Sequence, residues 1–378
     1  MEFSIAPLLR CPLTHLPLKQ LGVDEVNHLN SKIATNEMFH LDGTPVRSVM
    51  ETAFISANEA FVYPVIEGIY ILIQNLAIVL NDELAQRYRT SLVQEKIEMV
   101  AFYDQLGWQL DENEMFVDAA RFEDLRPVTR DYIHRCHLRL ARYFAPSGDF
   151  LLDIASGPVQ YPEYEAYSNQ YKRRICADIS FVALRAAQKK LGDHGIYVLC
   201  DITNIPLLEN TMDAFLSLHT IYHVPASEQA SAFTELQRVL KSGRTGVVVY
   251  SWGKKALLMR IVTPWLKFMK GCRGFFVDLR KRLRPKSSKD QEKKIAADAR
   301  FEKPYFHAHT YQWMRKEVFP LGYTDMACWR SVSVPFLRNL VHPHFGGKQF
   351  LAVLYWLEGR FKHFFARYGQ YPILICKK

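Results

Sequence analysis

One short stretch, residues 151–158 with the sequence LLDIASGP, most constrains how this chain can fold. It begins as an apolar run of the kind that forms a strand buried on both faces. It ends in Ala155, Ser156 and Gly157, whose small side chains let a backbone turn tightly and approach a ligand. Asp153 stands near the end of the run, and open α/β sheets bind ligands beyond the carboxyl ends of their strands. The stretch therefore predicts the first strand and ligand loop of a nucleotide-type α/β domain.

Further apolar runs follow at the spacing that strand–helix–strand units require. These runs are residues 174–180, 198–202, 213–219 and 246–251. Helical patterns lie between most of them, for example at 180–191 and 227–240. Strands that alternate with helices predict an α/β fold with a mainly parallel sheet.

Taken together, these segments resemble the class I S-adenosylmethionine (SAM)-dependent methyltransferases. The resemblance rests on LLDIASGP at 151–158, ADIS at 177–180, and the longer segments at 200–225 and 235–252, and it covers about residues 125–252. It implies a Rossmann-like, seven-stranded sheet with flanking helices, and SAM as the cofactor. The sequence departs from the family in one place, because Pro158-Val159-Gln160 follow Gly157 where a further glycine or two is usual.

The resemblance also implies a role for the acidic residue that follows each early strand. Asp178 would accept hydrogen bonds from the ribose hydroxyls, although capping of the next helix is a competing role. Asp201 and Ile202 would meet the adenine, and Asp153 would lie near the amino group of the methionine part. The predicted cofactor-binding set is Asp153, Ala155, Ser156, Gly157, Asp178, Ile179, Asp201, Ile202 and His219.

His219, Tyr222 and His223 follow the fourth predicted strand, where the transferred methyl group should point. Methyl transfer is an in-line displacement, so the enzyme must align the nucleophile and, for a hydroxyl, remove its proton. A histidine is the usual base near neutral pH, which makes these three residues the predicted catalytic set. A purely structural role for His223 in fixing the loop before Val224-Pro225 is the alternative.

Four further residues are predicted to contact substrate or to form a lid. Tyr103 and Tyr132 belong to the helical stretch ahead of the first strand, which in similar methyltransferases closes over the methionine end of the cofactor. Simple packing is the alternative for both. His307 and His309 alternate in an extended segment and are predicted to line the substrate pocket; two histidines alone do not make a metal site.

The first 80 residues resemble the small zinc-ribbon activator of tRNA and protein methyltransferases at their two ends. The carrying features are the Cys-Pro at 11–12 and the YPVIEGI segment at 63–69. Ser56, Ala57 and Asn58 stand where metal-binding cysteines are expected, and a structural zinc site needs four Cys or His ligands. We therefore expect a ribbon-like α+β module without bound metal.

The positive charge of the chain is concentrated in one insertion. Residues 254–294 carry 14 Lys and Arg against three acids, a net charge of +11, while the whole chain is +9. The mixture of charge with aromatic and aliphatic residues suggests amphipathic helices that face an anionic membrane surface, a calmodulin-like partner or a phosphate-bearing substrate. A substrate lid docked on the core is an equal alternative.

These features divide the chain into residues 1–80, a helical lid or linker at 81–148, and a methyltransferase domain at 149–378 with the insertion at 254–300. The seven cysteines are scattered, with no C-x-x-C pair, and the N-terminus has no signal-peptide pattern, which favours a reducing cytoplasm. The apolar segment 61–80 contains Pro64, Glu67 and Gly68, so we read it as strand and loop followed by a helix, not as a membrane span.

The predicted function is methyl transfer from SAM to an oxygen or nitrogen of a small molecule or biosynthetic intermediate, with glycan- or lipid-linked acceptors included. An rRNA or tRNA methyltransferase is the first alternative, and net positive charge fits RNA. The charge is local, however, and no Asn-Pro-Pro-Tyr type motif is present. A non-catalytic binding or activator protein is the second alternative, and the retention of Asp153, Asp178 and Asp201 argues against it.

Overall fold

A single sheet of twelve strands organises the protein. The computed structural model describes residues 5–88, 93–110, 112, 115–143, 147–265 and 304–378. The strands within these ranges are β1 Leu18–Gln20, β2 Thr52–Ser56, β3 Phe61–Ile66, β4 Ile69–Ile71, β5 Ile78–Val79, β6 Gly148–Ile154, β7 Tyr171–Asp178, β8 Gly195–Leu199, β9 Ala214–Leu218, β10 Thr245–Val249, β11 Asp325–Arg330 and β12 Tyr371–Lys377.

The second half of the sheet has the order β8-β7-β6-β9-β10-β12-β11. The first five of these strands are parallel, while β12 runs antiparallel to both β10 and β11. Most residues of the parallel strands are buried because helices cover both of their faces. The Rossmann-like α/β fold predicted from the sequence is confirmed, and the seven predicted strands form this half of the larger, twelve-stranded sheet.

Helices flank the sheet and connect its strands. They are α1 Val23–Ala34, α2 Asp82–Ala85, α3 Gln94–Phe102, α4 Val117–Phe122, α5 Arg130–Leu138, α6 Pro162–Glu165, α7 Phe181–Leu191, α8 Gln229–Val239, α9 257–265, α10 Tyr311–Trp313, α11 Val334–Leu340, α12 Gly347–Arg360 and α13 Lys362–Tyr368. A π-helical segment, Tyr103–Gly107, continues α3. The helices predicted at 180–191 and 227–240 correspond to α7 and α8.

The N-terminal strands extend this same sheet. β1, β2 and β3 pair antiparallel in sequence, and β4 then pairs parallel with β8. The backbone N–H of Leu72 continues this ladder by donating to the Leu199 carbonyl at 2.9 Å. The region predicted as a separate ribbon-like module is therefore joined to the parallel strands through backbone hydrogen bonds.

The prediction of a helix near the end of segment 61–80 is wrong. Glu67 and Gly68 have φ angles of 52° and 71°, so the chain makes a two-residue turn and β3 and β4 form a hairpin. A single 3-10 turn at Gln74–Leu76 and β5 complete the segment. Across the described ranges, no helix has both the length and the apolar character needed to cross a membrane.

The cysteine of the predicted ribbon, Cys11, contacts a side chain of the same region and no metal site surrounds it in the described residues. Cys11 is buried, and its sulfur lies 3.2 Å from the Tyr63 hydroxyl. In the part of the chain that the structure describes, no three His, Cys, Asp or Glu side chains are grouped so that they could hold a metal ion. Six cysteines of the described ranges are free and buried. The cytoplasmic location that their scatter suggested stays a prediction.

Two other predictions meet the limits of the described residues. At the start of the helical lid or linker predicted at 81–148, the structure has α2 and α3, and residues 89–92 between them lie outside the described ranges. Of the basic insertion at 254–300, only the part up to residue 265 is described, and α9 falls in it. The surface expected at 254–294 therefore lies mostly outside the described residues.

Candidate active site

A cavity opens at the carboxyl ends of β6, β7, β8 and β9, the edge at which open α/β sheets bind ligands. Eleven of the fifteen predicted site residues line it. They are Tyr103, Asp153, Ala155, Ser156, Gly157, Asp178, Ile179, Asp201, Ile202, His219 and His223. The convergence follows from the parallel sheet, which brings the end of every strand to the same edge.

The loop after β6 has an unusual backbone. Ala155, Gly157 and Val159 have φ angles of 54°, 55° and 51°, and this left-handed region is uncommon for residues with a side chain. A Cβ atom added at Gly157 would meet the Trp108 ring at 3.0 Å, so this position needs glycine. Two non-glycine residues of this loop, Ala155 and Val159, are therefore strained, and such backbone strain often occurs at ligand-binding sites. The loop makes its turn without the further glycines of the family pattern.

Asp178 ties this loop to the end of β7. Its carboxylate accepts hydrogen bonds from the backbone N–H of Gly157 at 2.8 Å and of Ser180 at 2.9 Å. Ser180, not Asp178, is the N-cap of α7, because its hydroxyl oxygen accepts from the Ala183 N–H at 3.0 Å. Asp178 is only 7% exposed, and this burial raises the pKa of its carboxyl to about 6. The cavity thus contains a carboxylate that few donors compensate.

Asp201 is held at the end of β8 by neighbours and by a distant lysine. One oxygen accepts from the Thr203 N–H at 2.9 Å and the Thr203 hydroxyl at 2.8 Å. The other forms an ion pair with Lys96 of α3, which also contacts Glu228. Sequence reasoning missed Lys96, since nothing in its local pattern distinguishes it from any other helix cation.

Asp153 also has a charged partner that the sequence did not reveal. Arg174, in the middle of β7, donates from Nε to the Asp153 carboxylate at 3.1 Å and pairs with it through Nη2. Both side chains are buried in the sheet. An arginine inside an apolar strand is a signal for such a pair, because a buried charge needs an opposite one. Asp153 lines the cavity while its charge is balanced from below.

The roof of the cavity comes from the segment that follows α3. Tyr103 and Trp108 stack with ring centroids 4.8 Å apart, and Asp104 receives a hydrogen bond from the Ser180 hydroxyl. Trp108 Nε1 is buried and has no hydrogen-bond partner among the described residues. Short π-helical segments such as Tyr103–Gly107 often occur at functional sites. Tyr103 lines the cavity and its stacking partner Trp108 lies over the loop at Gly157, while the lid role of Tyr103 stays a prediction.

The two histidines in the cavity are held in their neutral form at pH 7. Burial, assisted by the charge of Arg330, lowers the pKa of His219 to about 3. Its ring lies against Trp329, with centroids 4.3 Å apart, and its own φ angle is 60°. Burial lowers the pKa of His223 to about 4, and its Nδ1 lies 2.6 Å from the Tyr305 carbonyl oxygen. A neutral His223 would donate to this carbonyl through Nδ1–H.

Three polar residues that the sequence analysis did not single out as site residues also line the cavity. They are Asp118 of α4, Gln160 and Tyr164. Gln160 donates to the Asp118 carboxylate at 3.4 Å, and burial raises the pKa of Asp118 to about 6. One acid on a helix of mixed polarity gives no sequence signal, so only the packing of α4 over the cavity reveals it.

Tyr222 and Tyr132 lie outside the cavity lining. Tyr222 is buried and packs against Tyr250 and Phe306. Tyr132 is buried in α5, and its hydroxyl donates to Glu358 at 2.7 Å. Their placement agrees with packing roles, because both aromatic rings fill the protein interior.

The two histidines predicted for the substrate pocket also lie outside the cavity lining. The His307 backbone N–H donates to the Tyr222 carbonyl at 2.8 Å. The ring of His309 stacks on Trp313 with centroids 3.7 Å apart, and its Nε2 lies 3.2 Å from the Ala226 carbonyl oxygen. Their segment fastens the loop after β9 from the outside, which explains the extended spacing seen in the sequence.

Comparison with known proteins gives a family match for the segment that contains β6 to β10. Residues 152–248 match the family model described as "Methyltransferase domain". The ubiquinone/menaquinone biosynthesis C-methyltransferase UbiE of Agrobacterium fabrum is 32% identical over 166 residues, which are 40% of this chain and 63% of the relative. The chain thus spans less than two thirds of that relative's length. The methyltransferase domain predicted from the sequence is confirmed for residues 152–248.

Solved structures with a similar arrangement include two methyltransferases. Geranyl diphosphate C-methyltransferase from Streptomyces coelicolor A3(2) is 13% identical, with 76% of this chain and 99% of that chain covered and a TM-score of 0.44. Phosphoethanolamine N-methyltransferase 2 from Haemonchus contortus is 13% identical, with 65% and 52% covered and a TM-score of 0.37. At these TM-scores neither likeness carries an argument about the present chain.

Proposed function

We propose that this chain, which carries a methyltransferase domain at residues 152–248, transfers a methyl group from SAM to a small-molecule acceptor. The observation that carries the proposal is the strained loop at 155–159, tethered to the buried carboxylate of Asp178 at the edge of the parallel sheet. This combination forms a ligand site with a hydrogen-bond acceptor in place. The RNA methyltransferase alternative is weaker, because the positive charge is confined to residues 254–294.

The residues present fit the cofactor. Asp178 is buried, its two recorded donors are backbone N–H groups, and its raised pKa reflects this incomplete compensation. Ribose hydroxyls are donors of the kind that would compensate it. Ala155, Ser156 and Gly157 would hold the methionine part against the loop. When bound, SAM supplies an electrophilic methyl group on a sulfonium.

The neighbouring acids contribute differently from Asp178. Both oxygens of Asp201 are engaged, one by Thr203 and the other by Lys96. We therefore propose that Ile202 contacts the adenine ring directly, while Asp201 fixes the α3 roof through Lys96. Asp153, neutralised by Arg174, offers a hydrogen-bond acceptor at the floor of the cavity without adding net charge.

The acceptor would bind beside Asp118, Gln160, Tyr164 and His219. A general base works best when its pKa lies near the operating pH, and Asp118 at about 6 meets this condition better than His219 at about 3. We propose that Asp118 takes the proton from the acceptor hydroxyl or amine, and that neutral His219 orients the acceptor by hydrogen bonding. Deprotonation of a hydroxyl would also activate a neighbouring carbon in an unsaturated ring.

A small organic acceptor agrees with the architecture over the cavity. Tyr103, Trp108 and α4 cover its opening, which suits a molecule that enters whole and is shielded from water. The curated relative is a C-methyltransferase of quinone biosynthesis, and a biosynthetic intermediate with an ionisable group is the acceptor class that we propose here.

Calorimetric titration with SAM and with S-adenosylhomocysteine, at two salt concentrations, tests the proposal. We expect binding that changes little with salt, and Asp178→Ala should weaken it about a hundredfold or more, since hydrogen bonds to a charged group are lost. Asp149→Ala is the matched control, because Asp149 is half-exposed near the opposite end of β6 and pairs with Lys172 at 2.8 Å. Unchanged affinity in Asp178→Ala would refute the cofactor placement, and no binding by the native protein would favour the non-catalytic alternative.

A further inference from the structure

Exposed apolar side chains are concentrated on α12 and on the segments that flank it. Val353 and Trp356 are 57% and 64% exposed and stand three residues apart, so they are neighbours on the helix surface. Phe345, Phe361 and Phe364 are also exposed on either side. We call this set, with Phe350, the aromatic surface. Contiguous exposed apolar groups of this kind mark interaction sites on soluble domains.

The aromatic surface is basic and has almost no acid of its own. Between residues 326 and 378 the only acidic residue is Glu358, which is fully buried and accepts from Arg139 at 3.0 Å. Lys348 and Arg360, at the two ends of α12, are exposed and have no ion-pair partner among the described residues. On the adjacent helix α5, Asp131 is already paired with Arg135.

We propose that the aromatic surface docks on a bilayer of anionic phospholipids. A helix that presents Trp, Phe and Val with cations beside them can lie in the plane of a membrane interface, with the apolar groups among the acyl chains and the cations at the phosphates. Trp356 has the amphipathic ring that favours this depth.

Charge separates a bilayer from a second copy of the chain. A two-fold contact would place this surface against itself, with Lys348 and Arg360 facing the same cations, while the exposed Asp131 of α5 is already paired with Arg135. An anionic bilayer removes that repulsion. Nucleic acid would satisfy the cations, but it offers no environment for Val353 and the phenylalanines.

The surface is also close to the proposed acceptor end of the cavity. α11, which precedes α12, is fastened to α4 by Arg338, whose Nη2 donates to the Ala120 carbonyl at 3.0 Å. Arg126, in the segment that follows α4, donates to the Leu337 carbonyl of α11 at 2.6 Å. Asp118 of α4 lines the cavity. If the proposed function holds, an acceptor carried in the bilayer would enter one helix away from the docked face; docking itself does not depend on that function.

Sedimentation with sucrose-loaded vesicles tests the docking. The native chain should bind vesicles of phosphatidylcholine mixed with phosphatidylglycerol, bind phosphatidylcholine alone more weakly, and lose binding as salt rises. The affinity of the double variant Val353→Ser/Trp356→Ser for the mixed vesicles should fall about tenfold or further. Lys348→Gln and Arg360→Gln should each lower the affinity for the mixed vesicles about fivefold. Val49→Ser is the matched control, because Val49 is 70% exposed in the N-terminal region.

Several outcomes would overturn the proposal. Recovery of the native chain in the supernatant at low salt is one such outcome. Sedimentation of the α12 variants like the native chain is another, because it would assign binding to another region. A native dimer that becomes monomeric in the double variant would assign the surface to a second copy. RNA binding lost in Lys348→Gln, with vesicle binding unchanged, would assign it to nucleic acid. SAM titration of the same variants should be normal, so failure of docking and failure of the proposed function are distinguishable.

Discussion

Replacing Asp178 by asparagine should remove SAM affinity and change how the stability of the ligand-free protein depends on pH. The carboxyl has a pKa of about 6 in the folded chain because it is buried, whereas the ordinary pKa of an aspartate is 3.8. A difference of about two pKa units corresponds to about 3 kcal/mol of destabilisation when the group is ionised in both states at pH 7. The ionised carboxylate of Asp178 therefore lowers the stability of the ligand-free protein, and hydroxyl donors of a bound cofactor would offset this loss.

The sign of the effect follows from the raised pKa. Because the folded pKa of Asp178 lies above the unfolded one, the folded chain takes up the proton first as the pH falls. The destabilisation is complete above about pH 7 and disappears as the pH approaches about 4. Between pH 7 and pH 5 the native protein should gain about 1.3 kcal/mol from this group. The Asp178→Asn protein gains nothing from it.

The observable is the difference in unfolding free energy between the two proteins, measured by urea denaturation at several pH values. Asparagine places an amide NH₂ toward one of the two backbone donors, Gly157 or Ser180, which should cost about 1–3 kcal/mol at every pH. That offset cancels when only the change with pH is used. Asp149→Asn is the control. A difference that stays flat from pH 5 to pH 7 would refute the argument that burial of Asp178 raises its pKa.

Two further predictions concern groups that only the structure revealed. Asp118→Asn should lower methyl transfer about 10²–10⁴-fold with SAM affinity unchanged, measured as tritium transfer from labelled SAM into a small-molecule extract; normal transfer would exclude Asp118 as the base. Arg174→Met should destabilise the fold by about 3–5 kcal/mol in urea denaturation because it leaves Asp153 buried and unpaired, whereas Lys172→Met on the surface of the same strand should cost less than about 1 kcal/mol. Equal effects of the two β7 substitutions would contradict the buried ion pair.

The sequence predicted the features that local patterns determine. Apolar runs that end in an acid mark β6, β7 and β8, and a parallel sheet necessarily brings Asp153, Asp178 and Asp201 to one edge. The amphipathic run at 180–191 predicted α7, although the capping role that the sequence offered to Asp178 belongs to Ser180. These elements could be read because each depends on neighbours within a few residues.

The remainder depends on contacts between distant parts of the chain. Lys96 meets Asp201 across 105 residues, and nothing near either residue announces the other. Val159 adopts a positive φ where the family pattern uses glycine, because tertiary packing overrides its local preference. The apolar segment 61–72 suggested a strand followed by a loop, and its hairpin depends on a two-residue turn at Glu67 with no Asn-Gly signal.

The parallel pairing of β4 with β8 makes the N-terminal eighty residues inseparable from the rest. Without them, the backbone donors and acceptors of Tyr197 and Leu199 would be unpaired along one edge of β8. An open strand edge is a template for self-association. A truncated chain would therefore tend to aggregate and would not behave as a smaller enzyme. The N-terminal unit is therefore not an independent module, because its deletion or exchange would require a new partner for β8 in the same step.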